Sequence, residues 1–293
     1  MNKIELTISA FCFLICTLIA VIIPINTNGI NNNILLHIVY IIFSIHILMF
    51  IPSYFLKTEK YFDITGTIAY LSIVALIFYH FQSKNINLSI QSKLVSIMIL
   101  IWALRLGIFL FLRIIIFKND SRFNDAKKSF FKFLRFWMIS SLWVFITTLN
   151  ATTLILNNHK IANITLFTIG LILWVVGFSI ESIADYQKMR FKINNMNNSK
   201  FISKGIWAYS QHPNYFGEIT IWVGISIISL GSLREVQFLT LISPIFVYLL
   251  LTRISGINLL EESAKMKWGK DKEFINYFNN TPKLIPNFFK KRV

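Results

Sequence analysis

Between Gly205 and Glu218 the chain places an indole (Trp207), a carboxamide (Gln211), an imidazole (His212), a second carboxamide (Asn214), a phenol (Tyr215) and a carboxylate (Glu218). Donors, acceptors and a titratable ring so close together suit ligand binding or proton transfer. Pro213 fits the first turn of a helix, where its missing N–H costs nothing. If a helix runs on from there, Asn214 and Glu218 share a face at i, i+4. A helix start at a membrane surface can hold phosphate. Upstream, Glu181 and Asp185 stand one helical turn apart, followed by Gln187, Lys188 and Arg190. Carboxylates near a bilayer mark either a site or a buried ion pair. They also fit an interfacial helix end where Lys188 and Arg190 reach for the headgroups.

Arg105 lies in the middle of an apolar stretch. An arginine at that depth costs at least about 2.5–3.5 kcal/mol, so it must face the protein interior and meet an anionic or carbonyl partner. Arg113 is close enough to a surface to snorkel, and His46, alone in its span, reads as structural. The stretch from Glu261 to Gly269 alternates charge sign like an interfacial helix. The eleven glycines form neither G-x-G-x-x-G nor a P-loop, and no H-E-x-x-H is present. A soluble dinucleotide fold, a Walker site and a zincin-type metal site are thereby excluded, and no metal is expected.

The elements that position these residues are transmembrane helices. The chain is 55% hydrophobic and 14% charged, whereas soluble domains carry about a quarter charged residues. Apolar runs long enough to span a bilayer cover Ile4–Ile25, Ile34–Leu56, Ile64–His80, Leu94–Phe117, Phe136–Leu156 and Ile161–Ile183. Two shorter runs, Asn214–Leu230 and Val236–Thr252, suit a hairpin or a re-entrant pair. The expected fold is an all-α integral membrane protein, a bundle of about seven or eight transmembrane helices in a single polytopic domain over residues 1–293. The first run is too long for a signal core and no A-x-A site follows it, so it reads as a retained helix. Cys12 and Cys16 sit on one face of that helix and cannot build a disulfide framework. The Asn-rich stretches around residues 31–33 and 194–198 accompany heavy Ile and Lys usage and carry no chemistry.

The net charge of +16 would suit nucleic acid, but topology explains it better. With eight spans and an inner N-terminus, the inner segments hold Lys3, Lys57 and Lys60, six basic residues from Lys118 to Arg135, five from Lys188 to Lys204 and nine from Arg253 onward, which is 23. The outer loops hold four (Lys84, Lys93, Lys160 and Arg234), and Arg105 and Arg113 lie within a span. Cytoplasmic loops carry the basic excess, so both termini are expected in the cytoplasm. The expected partners are membrane lipids and a hydrophobic small molecule, with no nucleic acid.

The pattern Gly205-x-Trp207-x-x-Ser210-x-His212-Pro213-Asn214-Tyr215-Phe216-Gly217-Glu218 resembles the signature of the steroid 5α-reductase and sterol reductase superfamily. It is most similar to a family of bacterial membrane proteins of unknown function grouped with them. Further motifs recur in order over about residues 60–287: Phe62-Asp63-Ile64-Thr65-Gly66, Trp102-Ala103-Leu104-Arg105-Leu106-Gly107, Asp120-Ser121-Arg122-Phe123, Ala184-Asp185-Tyr186-Gln187-Lys188, Ser255-Gly256-Ile257 with Leu259-Leu260-Glu261, Trp268-Gly269 and Ile285-Pro286. The resemblance implies an NADPH-dependent reductase of an activated C=C bond in a lipid or isoprenoid-type substrate. It implies a cofactor cavity formed by Asp185, Lys188, Arg190, Trp207, His212, Asn214, Arg253 and Glu261. Tyr215 and Glu218 become the candidate catalytic residues, and Trp102 and Arg105 the substrate-side ones. Trp102 stands where the steroid enzymes have a tyrosine, and an indole cannot protonate an enone oxygen, which argues for another lipid. Gln211 replaces the arginine that usually precedes His-Pro, leaving Lys188, Arg190 and Lys204 to meet phosphates. Isoprenylcysteine carboxyl methyltransferases share the His-Pro-x-Tyr-x-Gly core and a Glu-Glu pair like Glu261-Glu262, so S-adenosylmethionine is the alternative cofactor. A non-catalytic lipid-binding protein is the third reading.

The charge distribution makes one direct prediction. In a background lacking Cys12 and Cys16, Lys200→Cys and Lys270→Cys should react with an impermeant thiol reagent from the same side, and Lys160→Cys from the other. Labelling of positions 200 and 270 from opposite sides contradicts the topology.

Overall fold

In the computed structural model, helices α1 (Asn2–Ile22), α2 (Ile34–Phe55), α3 (Phe62–Ser83), α4 (Ile90–Phe117), α5 (Phe130–Asn157) and α6 (Ile164–Ile193) follow one another through the first two thirds of the chain. Then come α7 (Pro213–Ser229), α8 (Ile242–Leu249), α9 (Ile257–Trp268) and α10 (Lys272–Asn280). The structure describes residues 2–25, 33–118, 120–194 and 200–287, without the side chain of Ser121. Asn31, Asn32 and Asn195 to Asn198, parts of the Asn-rich stretches, lie outside them. Among the described residues there is no strand, and seven helical runs are long and apolar enough to cross a membrane.

The expected spans correspond to α1–α4 within a few residues, while α5 begins six residues earlier than expected and α6 runs ten residues further, to Ile193. Of the last pair, α7 matches its expected run within one residue, while the run expected to stop at Thr252 continues from Glu235 to Trp268 as one 34-residue stretch. A 3₁₀ segment, α8, a π turn at Leu250–Ile254 and α9 succeed one another in it. Hydropathy sees the apolar part only; the charged α9 extends the run by backbone continuity.

The helices group into two compact units. The first comprises residues 1–164 and 229–243, the second 165–228 and 244–293. In the first, α5 packs against α1, α2, α3 and α4 and is the most buried of the spans. Three of its hydroxyls turn back on their own helix, Ser141 on the Trp137 carbonyl, Thr148 on the Val144 carbonyl and Thr153 on the Leu149 carbonyl, so they cost little without water. Near its end, Asn157 and Gln237 exchange carboxamide bonds of 2.8 and 3.0 Å, and Asn157 also donates to the Ser232 carbonyl. At the α2–α3 and α4–α5 turns, Glu59 accepts from Lys127 and from the Asp120 N–H, Asp120 binds Arg122, and Arg113 lies 3.7 Å from both Asp63 and Asp120. Burial opposes the charge on Glu59, but the Lys127 ammonium and the Asp120 N–H hold its carboxyl below the usual range. Phe62 packs on Phe123 and Trp137 beside them. The Phe62–Gly66 and Asp120–Phe123 motifs therefore build one polar and aromatic junction. His46, fully buried, sits between the Ile42 carbonyl and the Ser140 hydroxyl, as a structural histidine should.

The second unit rests on a contact between α6 and α7. Gly170 faces Gly224 and Gly177 faces Gly217, so the helices run antiparallel with their backbones touching. A Cβ on Gly217 would come within 2.6 Å of the Gly177 carbonyl and the Glu181 N–H, and one on Gly170 within 2.4 Å of the Gly224 carbonyl. Small residues permit this approach in membranes, where dispersion replaces the hydrophobic effect between helices.

Gly217→Val should therefore lower the stability of the detergent-solubilised protein by about 1–3 kcal/mol, the usual range for overpacking. Gly66 has open space around it, so Gly66→Ala should leave the melting temperature unchanged or raise it. Equal effects of the two substitutions would contradict the close α6–α7 contact.

Candidate functional site in the second unit

Helical period places Glu181, Asp185 and Lys188 along one face of α6. The glycine contact presses that face against the first turn of α7. Asn214 Nδ2 donates to Asp185 Oδ1 at 3.4 Å. Glu181, Asp185, His212 and Glu218 are only 2%, 6%, 7% and 9% exposed. Three carboxylates and an imidazole are thus removed from water within two adjoining helix segments, an arrangement that is expensive without compensating polar partners.

The connection leading into α7 is locked onto α6. Gly205 has φ +68°, a left-handed conformation that favours glycine, and a Cβ there would strike the Gln187 carboxamide. Gln187 Oε1 accepts from the Ile206 N–H at 3.0 Å, and Trp207 Nε1 donates to the Ala184 carbonyl at 3.1 Å. Lys188 Nζ stands 4.7 Å above the Trp207 ring, a cation–π contact. The Gln187-Lys188 pair and the Gly205-x-Trp207 pair are two halves of one fitting.

The C-terminal segment then fastens the loop from the other side. Gln211 Nε2 donates to the Phe278 and Thr281 carbonyls at 2.8 and 2.6 Å, and the Gln211 N–H donates to the Pro282 carbonyl. Ser210 Oγ donates to the Leu284 carbonyl and accepts from the His212 N–H. Tyr277 Oη donates to the Trp207 carbonyl, and burial raises the phenol's pKa. The Gln211 carboxamide is thus committed to closing the protein's own tail.

His212 stacks on Tyr215 with ring centres 5.7 Å apart. Its Nδ1 is buried with no hydrogen-bond partner. Burial, reinforced by the Lys188 and Lys283 charges, pushes its pKa down to about 3, so the ring is a neutral imidazole at physiological pH. Lys283 pairs with Glu261 at 2.6 Å.

The contacts join Asp185 to Asn214, Lys188 to Trp207 and His212 to Tyr215. Glu218 follows one turn after Asn214. Arg190 is exposed and donates to Tyr186; five residues beyond Asp185, it points well away from the acidic face. Arg253 lies at the π turn, and Glu261 on α9. Trp102 and Arg105 belong to the first unit. Trp102 is buried with its ring edge-on to Tyr70 at 5.2 Å, and Arg105 is half-buried with Nε and Nη2 shielded from solvent. Sequence reasoning passed over Gln187 as a loop anchor, and Tyr277 and Lys283 altogether. The seven-residue spacing of Gly170 with Gly177 and of Gly217 with Gly224 was the available signal for the helix contact.

Among the described residues, no group of His, Cys, Asp and Glu is arranged to hold a metal ion. The side chains present suit an organic ligand instead: carboxylates to accept from hydroxyl, amino or amide groups, a neutral imidazole, stacking rings and lysines for anionic groups.

The sequence family described as "Protein of unknown function (DUF1295)" matches residues 49–281. The match covers most of the chain, and the chain belongs to this family. No curated protein and no solved structure matches it.

The depressed His212 pKa sets a pH dependence. The unfolded ring takes up its proton near pH 6.5, whereas the folded ring stays neutral down to about pH 3. Stability should therefore fall as pH drops below about 6.5 toward 3. His212→Asn should flatten the melting temperature against pH between 7.5 and 4.5. An unchanged slope in the variant contradicts a buried neutral His212.

Proposed function

We propose that this member of the DUF1295 family is a membrane-embedded reductase that uses NADPH to reduce an activated C=C bond in a lipid or isoprenoid-type substrate, with both chain termini in the cytoplasm. The observation that supports this reading best is the pairing of residues from two separate motifs, Asp185 with Asn214 and Lys188 with Trp207. In the reductases that the chain resembles, those motifs form a cofactor cavity. The residues fit a dinucleotide in kind. Asp185 and Glu218 can accept from ribose hydroxyls or a carboxamide, Lys188 can meet a phosphate, and the partnerless His212 Nδ1 can bond a polar group of a bound ligand.

Bound NADPH would supply the hydride. The chain's own contribution is placement and proton handling. Asn214, fixed by Asp185, orients; Trp207 gives a flat apolar wall braced by Lys188; Tyr215, held against His212, offers a phenol to polarise a carbonyl or deliver a proton; and Glu218 accepts or relays one. Trp102 and Arg105 are the candidates for contact with the lipid.

S-adenosylmethionine chemistry is the second reading, and Gln211 favours it. With that carboxamide bound to the Phe278 and Thr281 carbonyls, the His-Pro loop presents no arginine to a phosphate, which suits a cofactor without one.

A ligand that binds only the folded state raises the melting temperature by mass action, by about 2.7 kcal/mol of stability at a hundredfold excess over Kd. NADPH, titrated to millimolar concentration, should shift the solubilised protein. Asn214→Ala and Glu218→Ala should remove most of that shift. A shift with S-adenosylmethionine and none with NADPH would replace the reductase by a methyltransferase. No shift with either would leave a non-catalytic member of the family.

A further inference from the structure

The long apolar run ends at a cavity whose lining includes Arg253, a residue that the reductase resemblance assigns to the cofactor. It measures about 190 Å³ and is lined by Tyr248, Thr252, Arg253, Asn258 and Lys283, together with the apolar Ile257 and Leu284. Drug-sized and cofactor ligands occupy pockets of about 300–1,000 Å³, so this one is too small for a dinucleotide and large enough for a headgroup. Its polar lining holds two cations, the Arg253 guanidinium and the Lys283 ammonium, beside the Tyr248 phenol; the Thr252 hydroxyl donates to the Tyr248 carbonyl and the Asn258 carboxamide to the Arg253 carbonyl. Lys283 is shared with Glu261. Arg253 is exposed, and no described carboxylate lies within ion-pair distance of it. A net positive pocket of this size selects a compact anion, and a planar guanidinium matches phosphate oxygens in particular.

The backbone adds a second observation. Leu250–Ile254 form a π turn, and Asn258 Nδ2 donates to the freed Arg253 carbonyl at 2.9 Å. Such turns interrupt helices mainly where a site must be shaped. The turn sits where the apolar run gives way to the charged α9.

The surroundings indicate what carries the phosphate. Ile245, Tyr248 and Leu249 are exposed on α8, and with Thr252 they form one stripe at i, i+3, i+4 and i+7 that leads into the cavity. Ile254 and Ile285 are exposed beside it. An apolar track ending in a cationic pocket is the outline of a phospholipid, with its chain along α8 and its phosphate between Arg253 and Lys283. We propose that this cavity is a binding site for the phosphate headgroup of an anionic phospholipid. The inference does not rest on the reductase reading, which would claim Arg253 for the cofactor.

The test uses the full chain in detergent and four probes: dioctanoyl phosphatidylglycerol, dioctanoylglycerol, inorganic phosphate and NADPH. Phosphatidylglycerol should raise the melting temperature, whereas dioctanoylglycerol, which lacks the phosphate, and inorganic phosphate, which lacks the chain, should not. Arg253→Gln with Lys283→Gln should weaken the phosphatidylglycerol effect by about tenfold or more in concentration, as expected for losing charge-assisted bonds. Lys270→Gln with Lys272→Gln removes the same charge outside the cavity and should leave the effect intact. Arg253→Gln alone breaks no ion pair and serves if the double variant does not fold. Equal stabilisation of wild type and cavity variants, or equal stabilisation by dioctanoylglycerol, overturns the site. Loss of an NADPH shift with the phosphatidylglycerol shift retained would hand the two cations to a dinucleotide and overturn the lipid assignment.

Discussion

The contact of α6 with α7 at four glycines sets the conditions for everything else in the second unit. Two helices whose backbones touch bring the side chains just beyond the contact closer than ordinary packing allows. Here those side chains are Glu181 and Asp185 on one helix and Asn214 and Glu218 on the other. Most membrane helices keep carboxylates out of their interfaces because desolvation is costly. This pair concentrates them, and the dispersion gained along the glycine seam helps to hold them there.

Around that seam the chain closes a second constraint. Gln187, Trp207, Ser210, Gln211 and Tyr277 bind backbone atoms almost exclusively, tying α6, the loop and the tail into one fitting. Backbone carbonyls are indifferent to side-chain identity, so a fitting of this kind tolerates change in the tail while fixing the loop. The Gln211 carboxamide is a neutral clamp on the Phe278 and Thr281 carbonyls, so on the proposed reading an anionic cofactor would draw on lysines anchored elsewhere.

The spans were legible because a bilayer demands about twenty apolar residues whatever the function, and α1–α4 follow that demand closely. Shared helix faces were legible for a similar reason: Asn214 with Glu218, and Glu181 with Asp185, follow from period alone. Arg190 shows the limit of reading a motif as a string. It sits two residues from Lys188, yet the helix turns it outward to Tyr186. The π turn at Leu250–Ile254 has no distinct composition, so the joining of α8 to α9 was not visible. Tyr277 and Lys283 reach the site region only through the chain's return about 70 residues later, and no local pattern marks such contacts. The Phe62–Gly66 and Asp120–Phe123 motifs illustrate the converse. They were legible as motifs, but only the packing of Phe62 on Phe123 and the ions around Asp120 identify them as a structural junction.

The central claim is that the Asp185–Asn214 and Lys188–Trp207 pairs frame a dinucleotide site. The most direct measurement is mass spectrometry of the small molecules released on denaturing protein that was purified in mild detergent without added cofactor. The account requires NADP(H) in the wild-type extract at a substantial fraction of the protein concentration, and its depletion from Asp185→Asn protein of unchanged melting temperature. S-adenosylmethionine or its demethylated product in its place, or NADP(H) retained equally by the variant, would contradict it.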